Sequence, residues 1–296
     1  MPHPVLSIVM PCLDGMPHLP DAIASVHASL PAASFEIVVA DGGSTDGSIE
    51  YLRGAGVTLL EGPDGSLYHG LNRAIANANG SHIVWLNADD VVLPAVQGLV
   101  DRAKGEGGDI VTGEAEIATG ETVTWRSDHH ARRMSPESLL FAVPTINARV
   151  FSRALLVRAG PFRTDIGLGA DRHMLLRLLR LDPKREMVSE PVYRYRSHAG
   201  SRTMGGSWTS YRSVHAAHLA MAEAIAADPA AGVDDALLDA FSSVSRLASA
   251  RAGLLKGDVL EAARVCAAAL IARPDPGHWR RALALHRAFR SLGSGW

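Results

Sequence analysis

Acidic side chains follow two strand-like segments in the first hundred residues. Asp41 comes directly after the apolar run 35–40, and a second such run leads into the acidic segment 87–90. An open α/β sheet binds ligands outside the carboxyl ends of its strands, so we expect both groups at one crevice. Adjacent carboxylates repel each other unless a divalent cation or ligand hydroxyls compensate them. Asp89 and Asp90 therefore indicate a Mg²⁺ or Mn²⁺ site that clamps a diphosphate.

The segment 41–48 combines Asp41 with glycines and hydroxyl side chains. The glycines let the backbone approach a flat ligand, and Asp41 can accept hydrogen bonds from a nucleobase or a ribose. The same residue types also form ordinary turns, and Asp89 or Asp90 could equally cap the helix that follows. Each motif taken alone leaves a structural interpretation open.

A polar loop lies between these two motifs, at the end of the third predicted strand. Its residues that could face the same crevice are Asp64, Tyr68, Asn72 and Arg73. The alternative is a loop and helix start in which Tyr68 packs on a neighbour. The flanking motifs decide in favour of the ligand-binding interpretation.

Strand and helix patterns alternate with short connectors in this part of the chain. The predicted strands are 5–10, 35–40, 57–61 and 82–86, and the predicted helices are 19–30, 48–53 and 68–78. The strands are almost continuously apolar, which is typical of a parallel sheet covered by helices on both faces. The sequence therefore predicts a three-layer α/β domain with a mainly parallel sheet.

The pattern changes along the rest of the chain. Shorter β-rich segments at 109–118, 123–126 and 146–151 precede a helix at 171–180 and a strand at 192–196. Residues 208–292 are rich in alanine and are divided by Asp-Pro, Gly-Asp and Pro-Gly signals into about four helices. We predict a catalytic domain over residues 1–205 and a helical region over 206–296.

Composition excludes several classes of protein. The 296 residues are 47% hydrophobic and 20% charged, which is ordinary for a globular chain. Apolar stretches are far shorter than the roughly 18 residues of a membrane-spanning helix. No export signal is visible, and two distant cysteines suit a reduced compartment, so a cytoplasmic location is expected.

Charge is distributed unevenly along the chain. Residues 1–150 carry 8 Lys and Arg against 18 Asp and Glu, and residues 151–296 carry 21 against 13. The net charge of −2 therefore combines an acidic half with a basic half. An acidic half suits a bound cation, and a basic half suits phosphates or anionic lipid, although differing solvated helix faces would give the same asymmetry.

Four motifs together resemble one enzyme family. The segments 11–14, 41–48, 64–72 and 86–90 follow the order and spacing of the inverting family 2 glycosyltransferases of GT-A fold, most like the bacterial surface-polysaccharide branch. The resemblance covers roughly residues 5–205. It implies transfer of a sugar from a nucleotide-sugar, a UDP-sugar above all, to a hydroxyl of a polysaccharide or lipid-linked oligosaccharide. It implies no nucleic-acid partner.

The resemblance assigns roles to individual residues. Asp41 would recognise the nucleotide base, and Asp89 with Asp90 would form the DXD-type site for ribose and metal-bound diphosphate. Asn87 stands where the family commonly has Asp, which leaves open which acid touches the metal; we place the metal on Asp90 and the ribose nearer Asp89. The full set of residues assigned to the nucleotide donor is Pro11, Asp14, Asp41, Gly43, Asp64, Tyr68, Asn72, Arg73, Asn87 and Asp89.

The resemblance implies two further roles for residues later in the chain. The segment around Asp171 is similar to the family's acidic base motif, so Asp171 is the predicted catalytic base; a helix-capping role is the alternative. The positive end of its helix is expected to keep it ionised. The segment 193–201 resembles the family's Tyr-Arg-x-His motif, which makes His198 a candidate third metal contact, with Arg196 or Arg202 assisting.

The last predicted helix, 279–292, is basic and amphipathic. It could rest on the inner face of an anionic membrane, although packing within the protein or against a second copy explains the pattern as well. A nucleotidyltransferase is disfavoured because no basic, glycine-rich loop follows the first strand. A catalytically inactive nucleotide-sugar-binding protein is the remaining alternative, against which the four retained acids argue.

Overall fold

The computed structural model describes residues 5–106, 108–127, 132–198, 200, 208–228, 232–255 and 257–289. The chain forms two compact units. The sheet unit comprises Met1–Asp128, Thr145–Thr164 and Leu181–Arg196, and the helical unit comprises His129–Pro144, Asp165–Arg180 and Ser197–Trp296. The predicted division at residue 205 follows chain order, whereas these units interleave along the chain.

Nine strands of the described residues form one sheet, which lies in the sheet unit. They are β1 (Leu6–Cys12), β2 (Phe35–Asp41), β3 (Thr58–Glu61), β4 (His82–Trp85), β5 (Val91–Val92), β6 (Ile110–Thr119), β7 (Thr122–Arg126), β8 (Arg149–Ser152) and β9 (Arg185–Arg196).

The helices of the described residues are divided between the two units. In chain order they are α1 (Leu19–Ser29), α2 (Ser48–Gly54), α3 (Leu67–Ala76), α4 (Val96–Glu106), α5 (Pro136–Phe141), α6 (Arg153–Ala159), α7 (Ala170–Arg180), α8 (Trp208–Ala226), α9 (Asp235–Leu255), α10 (Val259–Ala272) and α11 (Pro276–Phe289). Helices α1–α4 and α6 belong to the sheet unit, and the others belong to the helical unit.

The sheet has the order β3-β2-β1-β4-β8-β6-β9-β5, with β7 paired to β6. Strand β1 is parallel to both β2 and β4, and β2 is parallel to β3. The chain leaves β1 toward β2 on one side and later places β4 on the other side. Open α/β sheets bind ligands where the strand order reverses in this way, which here is at the carboxyl ends of β1 and β4.

The predicted α/β fold class is confirmed. Strands β1 to β4 lie within one or two residues of the predicted segments because buried parallel strands read as apolar runs. The four predicted C-terminal helices are present as α8 to α11. Strand β9 begins at Arg185, well before the predicted Val192, and helices α5 and α6 were not predicted.

A buried glycine joins three strands near their amino ends. The Gly80 amide donates to Ser7 Oγ at 2.8 Å, and Ser7 Oγ in turn donates to Glu36 Oε1 at 2.6 Å. Ser7 is fully buried. A Cβ added at Gly80 would lie 2.6 Å from the backbone nitrogen of Ser7, closer than any normal contact. The chain entering β4 thus depends on the absence of a side chain at this position.

We expect Gly80→Ala to lower the free energy of unfolding by about 1–3 kcal/mol, because the backbone of β1 cannot move aside without disturbing the central sheet. Urea unfolding followed by circular dichroism measures this. The matched control is Gly98→Ala in α4, where a Cβ meets no atom within 4 Å. Alanine should be neutral or stabilising there, since it is the better helix former. Equal losses in both variants would contradict the packing argument.

The helical unit is held together by close contacts between its own helices. A Cβ at Gly169 would lie 2.7 Å from Cβ of Met221, so the chain entering α7 approaches α8 closely. The rings of Phe141 and Phe241 meet edge to face. Arg172 donates to three carbonyl oxygens at the end of α5, which satisfies a helix C-terminus.

No helix in the described part of the chain is long and apolar enough to cross a membrane.

Candidate active site

The sheet unit brings the four sequence motifs to one edge. The Gly42 amide donates to the Cys12 carbonyl at 2.8 Å, which joins the ends of β1 and β2. A Cβ at Gly42 would lie 3.6 Å from Oδ2 of Asp64, and one at Gly15 would lie 3.3 Å from Cβ of Ala88. The loops after β1, β2, β3 and β4 are therefore neighbours, as the parallel sheet predicted.

The loop 13–18 after β1 and the loop 42–47 after β2 are tied together. The Asp14 amide donates to Ser44 Oγ at 2.8 Å, and the Thr45 amide donates back to Asp14 Oδ1 at 2.8 Å. The Met16 amide donates to Asp46 Oδ2 at 2.7 Å. Asp14 has a φ of 50°, a backbone conformation that Asp tolerates better than most residues. These bonds fix both loops in one arrangement without a ligand.

Asp41 organises its own loop. Its carboxylate is fully buried and accepts hydrogen bonds from the amides of Gly43 and Ser44, at 2.9 and 2.8 Å, and from Ser44 Oγ at 2.6 Å. Gly43 has a φ of 98°, which glycine adopts without strain. Burial and the charge of Asp41 raise the pKa of the Cys12 thiol to about 12. Cys12 therefore stays a protonated thiol at neutral pH, and it is not a nucleophile here.

The loop 62–66 after β3 is held by an ion pair. Arg73 contacts the Asp64 carboxylate and also donates to the carbonyls of Leu60, Glu61 and Gly62. The Asp64 side chain is 8% exposed and the Arg73 side chain 32%. Both were predicted to bind the donor. In the structure they shape the loop after β3, and a direct contact with the donor stays a prediction.

Tyr68 and Asn72 pack against a distant part of the sheet unit. Tyr68 is buried, with its ring stacked on Phe162 and edge-on to Trp85. The Asn72 amide group donates to the Phe162 carbonyl at 2.9 Å and accepts from its N–H at 2.8 Å. The packing of Tyr68 is the structural alternative considered from the sequence. A direct donor contact by either residue stays a prediction.

The acidic turn, residues 87–90, follows β4. Both oxygens of the Asp90 carboxylate accept hydrogen bonds: Oδ2 from Asn87 Nδ2 and the Tyr193 hydroxyl, and Oδ1 from the Arg196 amide, each at 2.8 Å. Asp90 is 4% exposed. Burial, and then the charge of Asp89, raises the pKa of Asp90 to about 7. Asp90 is therefore surrounded by protein donors, whereas Asp89 is partly exposed.

The acidic turn has the features that a cation would use. Asn87 Oδ1 is buried and has no hydrogen-bond donor among the described residues. A buried acceptor without a donor is costly, and a bound cation would satisfy it. In the described ranges, no group of three or more His, Cys, Asp and Glu side chains is arranged around a metal position. Mg²⁺ and Mn²⁺ need few protein ligands when a diphosphate supplies oxygens, so the residues present fit such an ion.

Three residues near this turn were given no role in the sequence analysis: Tyr193, Tyr195 and Asn147. The Asn87 amide donates to the hydroxyl of Tyr193, which is fully buried. The Tyr195 hydroxyl donates to Asn147 Oδ1, and Asn147 Nδ2 donates to the Trp85 carbonyl. Alternate residues of a strand share one face, so the spacing of the two tyrosines was a usable signal.

The other two predicted site residues lie in the helical unit. Asp171 is in the first turn of α7, where its Oδ1 accepts from the Arg172 amide at 2.7 Å. Burial raises the pKa of Asp171, and the Arg172 charge opposes this shift without cancelling it. The pKa of Asp171 is therefore raised, whereas the positive end of the helix alone was expected to lower it and keep the carboxylate ionised. His198 accepts from the Gly200 amide through Nδ1. Arg202 lies outside the described residues.

Solved structures share this architecture. Staphylococcus aureus TarS 1–349 in complex with UDP-GlcNAc has a TM-score of 0.60 at 15% identity, over 82% of this chain and 72% of that one. A mannosyltransferase from Pyrobaculum calidifontis in complex with GDP-Man and Mn²⁺ has a TM-score of 0.60 at 19% identity, over 97% and 85%. These likenesses show the fold, which is the GT-A fold of these glycosyltransferases.

The chain belongs to glycosyl transferase family 2, because the model of that family matches residues 7–162, more than half of its length. It is a glycosyltransferase, and the family resemblance seen in the sequence is confirmed. A protein of Mycobacterium tuberculosis described as an uncharacterized glycosyltransferase is 27% identical over 203 residues, 64% of this chain and 71% of that protein. A PGL/p-HBAD biosynthesis glycosyltransferase of Mycobacterium bovis is 31% identical over 101 residues, 32% and 39% of the two chains.

Proposed function

We propose that this enzyme transfers a sugar from a nucleotide-sugar, a UDP-sugar in the first place, to a hydroxyl of a saccharide or lipid-linked saccharide, with inversion and with Mn²⁺ or Mg²⁺. The observation that carries the proposal is the acidic turn at the carboxyl end of β4. Its partly exposed Asp89 and its unsatisfied Asn87 oxygen lie beside the loop after β1. That is the place where a diphosphate and its cation would bind.

The structural relatives support the donor class. TarS has been solved with UDP-GlcNAc, and glucosyl-3-phosphoglycerate synthase of Mycobacterium tuberculosis with Mn²⁺, UDP and glucosyl-3-phosphoglycerate. The synthase has a TM-score of 0.54 at 20% identity, over 79% of this chain and 82% of that one. TarS and the synthase carry uridine nucleotides and the mannosyltransferase carries GDP-Man, which favours UDP over GDP for this chain.

The exposure of the two acids favours Asp89 as the metal ligand. Asp90 is already bonded by three protein donors, and its burial leaves little room for a cation. We therefore propose Asp89 as the ligand, in place of the Asp90 preferred from the sequence, and Asp90 as a residue that positions the turn. His198 stays a proposed additional contact. When bound, the cation neutralises the negative charge that gathers on the departing diphosphate.

The preformed loops after β1 and β2 would hold the nucleoside. Hydrogen bonds between the loops hold Asp14 against Ser44 and Thr45, and Asp41 holds the Gly43 amide, before any donor arrives. Pro11 lies at the end of β1, next to these loops. Asp41 acts through this loop, because its carboxylate fixes the Gly43 and Ser44 amides. A preorganised site loses less conformational entropy on binding, so the arrangement favours tight capture of the donor.

Inversion requires one displacement. The acceptor oxygen attacks the anomeric carbon while the bond to the nucleoside diphosphate breaks, and a carboxylate accepts the acceptor's hydroxyl proton. We assign that proton to Asp171. A raised pKa suits this role, because a more basic carboxylate takes a proton more readily at neutral pH.

The basic C-terminal helix supports a proposal of peripheral membrane contact in the cytoplasm. Arg280, Arg281 and Arg287 are exposed on α11. Exposed arginines on one helix attract anionic lipid headgroups, which would bring the enzyme close to a lipid-linked acceptor.

Ligand-induced stabilisation tests the donor assignment. With Mn²⁺ present, we expect UDP and one UDP-sugar to raise the melting temperature, since a ligand at 100 times its Kd stabilises the folded state by about 2.7 kcal/mol. The controls are UMP, which has no diphosphate, and NAD⁺, whose diphosphate joins two nucleosides of which neither is uridine. If no nucleoside diphosphate raises the melting temperature with either cation, the donor class is wrong. If UDP-sugar binds and neither transfer nor hydrolysis of it is detected, the chain is a binding protein instead.

A further inference from the structure

Arg196 connects the acidic turn to the start of α1. Its Nε donates to the Asp89 carbonyl at 2.5 Å, its Nη1 contacts Asp21 Oδ2 at 2.9 Å, and its Nη2 donates to the His18 carbonyl at 3.0 Å. Its backbone amide also donates to Asp90 Oδ1 at 2.8 Å. Every nitrogen of the residue is thus engaged with a protein acceptor of the sheet unit.

These contacts bond together two loops that the parallel sheet places side by side. His18 precedes α1, at the end of the loop after β1, and Asp89 is in the turn after β4. The planar guanidinium presents its donors in a fixed fork, so three bonds to three residues define both distance and orientation. Fixing the Asp89 carbonyl fixes the peptide between the partly exposed Asp89 and the buried Asp90.

We propose that Arg196 is a positioning residue that locks the acidic turn against the loop after β1, so that Asp89 is presented to the metal-bound diphosphate. That Arg196 holds the acidic turn rests on the hydrogen bonds alone. Its consequence for binding of the metal and the diphosphate rests on the proposed function. It differs from a direct phosphate contact, because the guanidinium is occupied by Asp89, His18 and Asp21. Groups that orient metal ligands from behind typically contribute about 10-fold to 100-fold in metal affinity.

Two substitutions separate this role from a phosphate contact. Arg196→Lys keeps the positive charge, but its single ammonium group cannot bond three acceptors in the arrangement of the fork. Arg196→Gln removes the charge as well. If Arg196 positions the turn, both variants should lose about 10-fold to 100-fold in UDP affinity with Mn²⁺ and little without it. A phosphate contact predicts that Lys retains most of the affinity and that Gln weakens UDP binding with and without metal.

We call the bonds of the Arg196 side chain to Asp89, His18 and Asp21 the Arg196 clamp. Asp21→Asn tests this clamp with a smaller change. The Asp21 side chain is 70% exposed, so its replacement leaves the core intact while it weakens one of the three bonds. We expect a smaller loss of Mn²⁺-dependent UDP affinity than in Arg196→Lys, and no added loss when Asp21→Asn is combined with Arg196→Gln. Arg102→Gln, which removes the ion pair of the 44% exposed Arg102 side chain with Glu186, is the matched control.

Hydrogen–deuterium exchange of the ligand-free protein tests the structural part directly. Arg196→Gln should speed exchange in a peptide covering residues 86–92, and Arg102→Gln should leave that peptide unchanged. Unchanged exchange in Arg196→Gln, or full Mn²⁺-dependent UDP affinity in Arg196→Lys, overturns the inference. If the wild-type enzyme binds no nucleotide but the exchange difference appears, the proposed function has failed and the clamp stands.

Discussion

Asp171→Asn is expected to lower kcat by about 10²–10⁴-fold and to leave UDP affinity unchanged. Asparagine has nearly the same shape but cannot accept the proton of the acceptor hydroxyl, so only the chemical step suffers. Donor binding is assigned to the sheet unit, whereas Asp171 lies in the helical unit. Steady-state kinetics together with calorimetric UDP titration separate the two effects.

The pH profile of kcat gives a second readout of the same role. Protonated Asp171 cannot act as a base, and burial raises its pKa. Activity should therefore be lost as pH falls through this raised pKa, at a pH above the ordinary value of about 3.9 for aspartate. Asp182→Asn is the matched control, because Asp182 is exposed and has a φ of 48°, which asparagine tolerates. Near-normal turnover of Asp171→Asn would assign the proton to another group.

Asp89→Ala is expected to abolish the gain in UDP affinity that Mn²⁺ confers, a loss of about 100-fold if the cation contributes about 2.7 kcal/mol. The reason is that Asp89 is the partly exposed carboxylate of the acidic turn, while Asp90 is bonded by Tyr193, Asn87 and the Arg196 amide. Calorimetric titration of UDP with and without Mn²⁺ measures the difference directly.

Parallel substitutions distinguish the two acids. Asp90→Ala removes three hydrogen bonds from a buried site, so we expect a lower melting temperature as well as weaker donor binding. Asp101→Asn, at an exposed position of α4, is the neutral control. If Asp89→Ala keeps the Mn²⁺ effect and Asp90→Ala loses it without loss of stability, the metal belongs to Asp90, as the sequence interpretation placed it.

The sequence predicted the central strands well and the peripheral elements less well. Strands β1 to β4 are apolar runs because they are covered on both faces, and that pattern needs no partner to be recognised. Residues 185–191 of β9 are largely exposed or half-buried and include Pro191, so they do not read as a strand. Their pairing with β6 supplies the structure. Helix α5 is six residues long and depends on the cap made by Ser135 and Ser138.

The same contrast holds for the site. The positions of Asp41 and of the acidic turn at the ends of β2 and β4 follow from the alternation of strands and helices. The individual roles do not follow, because residue type does not reveal which donors surround a side chain. Asn72 and Tyr68 look like ligand contacts in the sequence, yet their polar or aromatic groups are engaged with Phe162, ninety or more positions away.

The amino-acid sequence by itself determined the class of fold, the family and the edge of the sheet at which the acidic motifs lie, since these depend on local periodicity and on short motifs in a fixed order. Tertiary structure alone decided that Asp90 faces Tyr193 inside the protein while Asp89 remains partly exposed, and that Arg196 ties this turn to His18 and Asp21. Hydrogen bonds between residues more than a hundred positions apart are set by how strands β4 and β9 and helix α1 come together, and no local pattern records that arrangement.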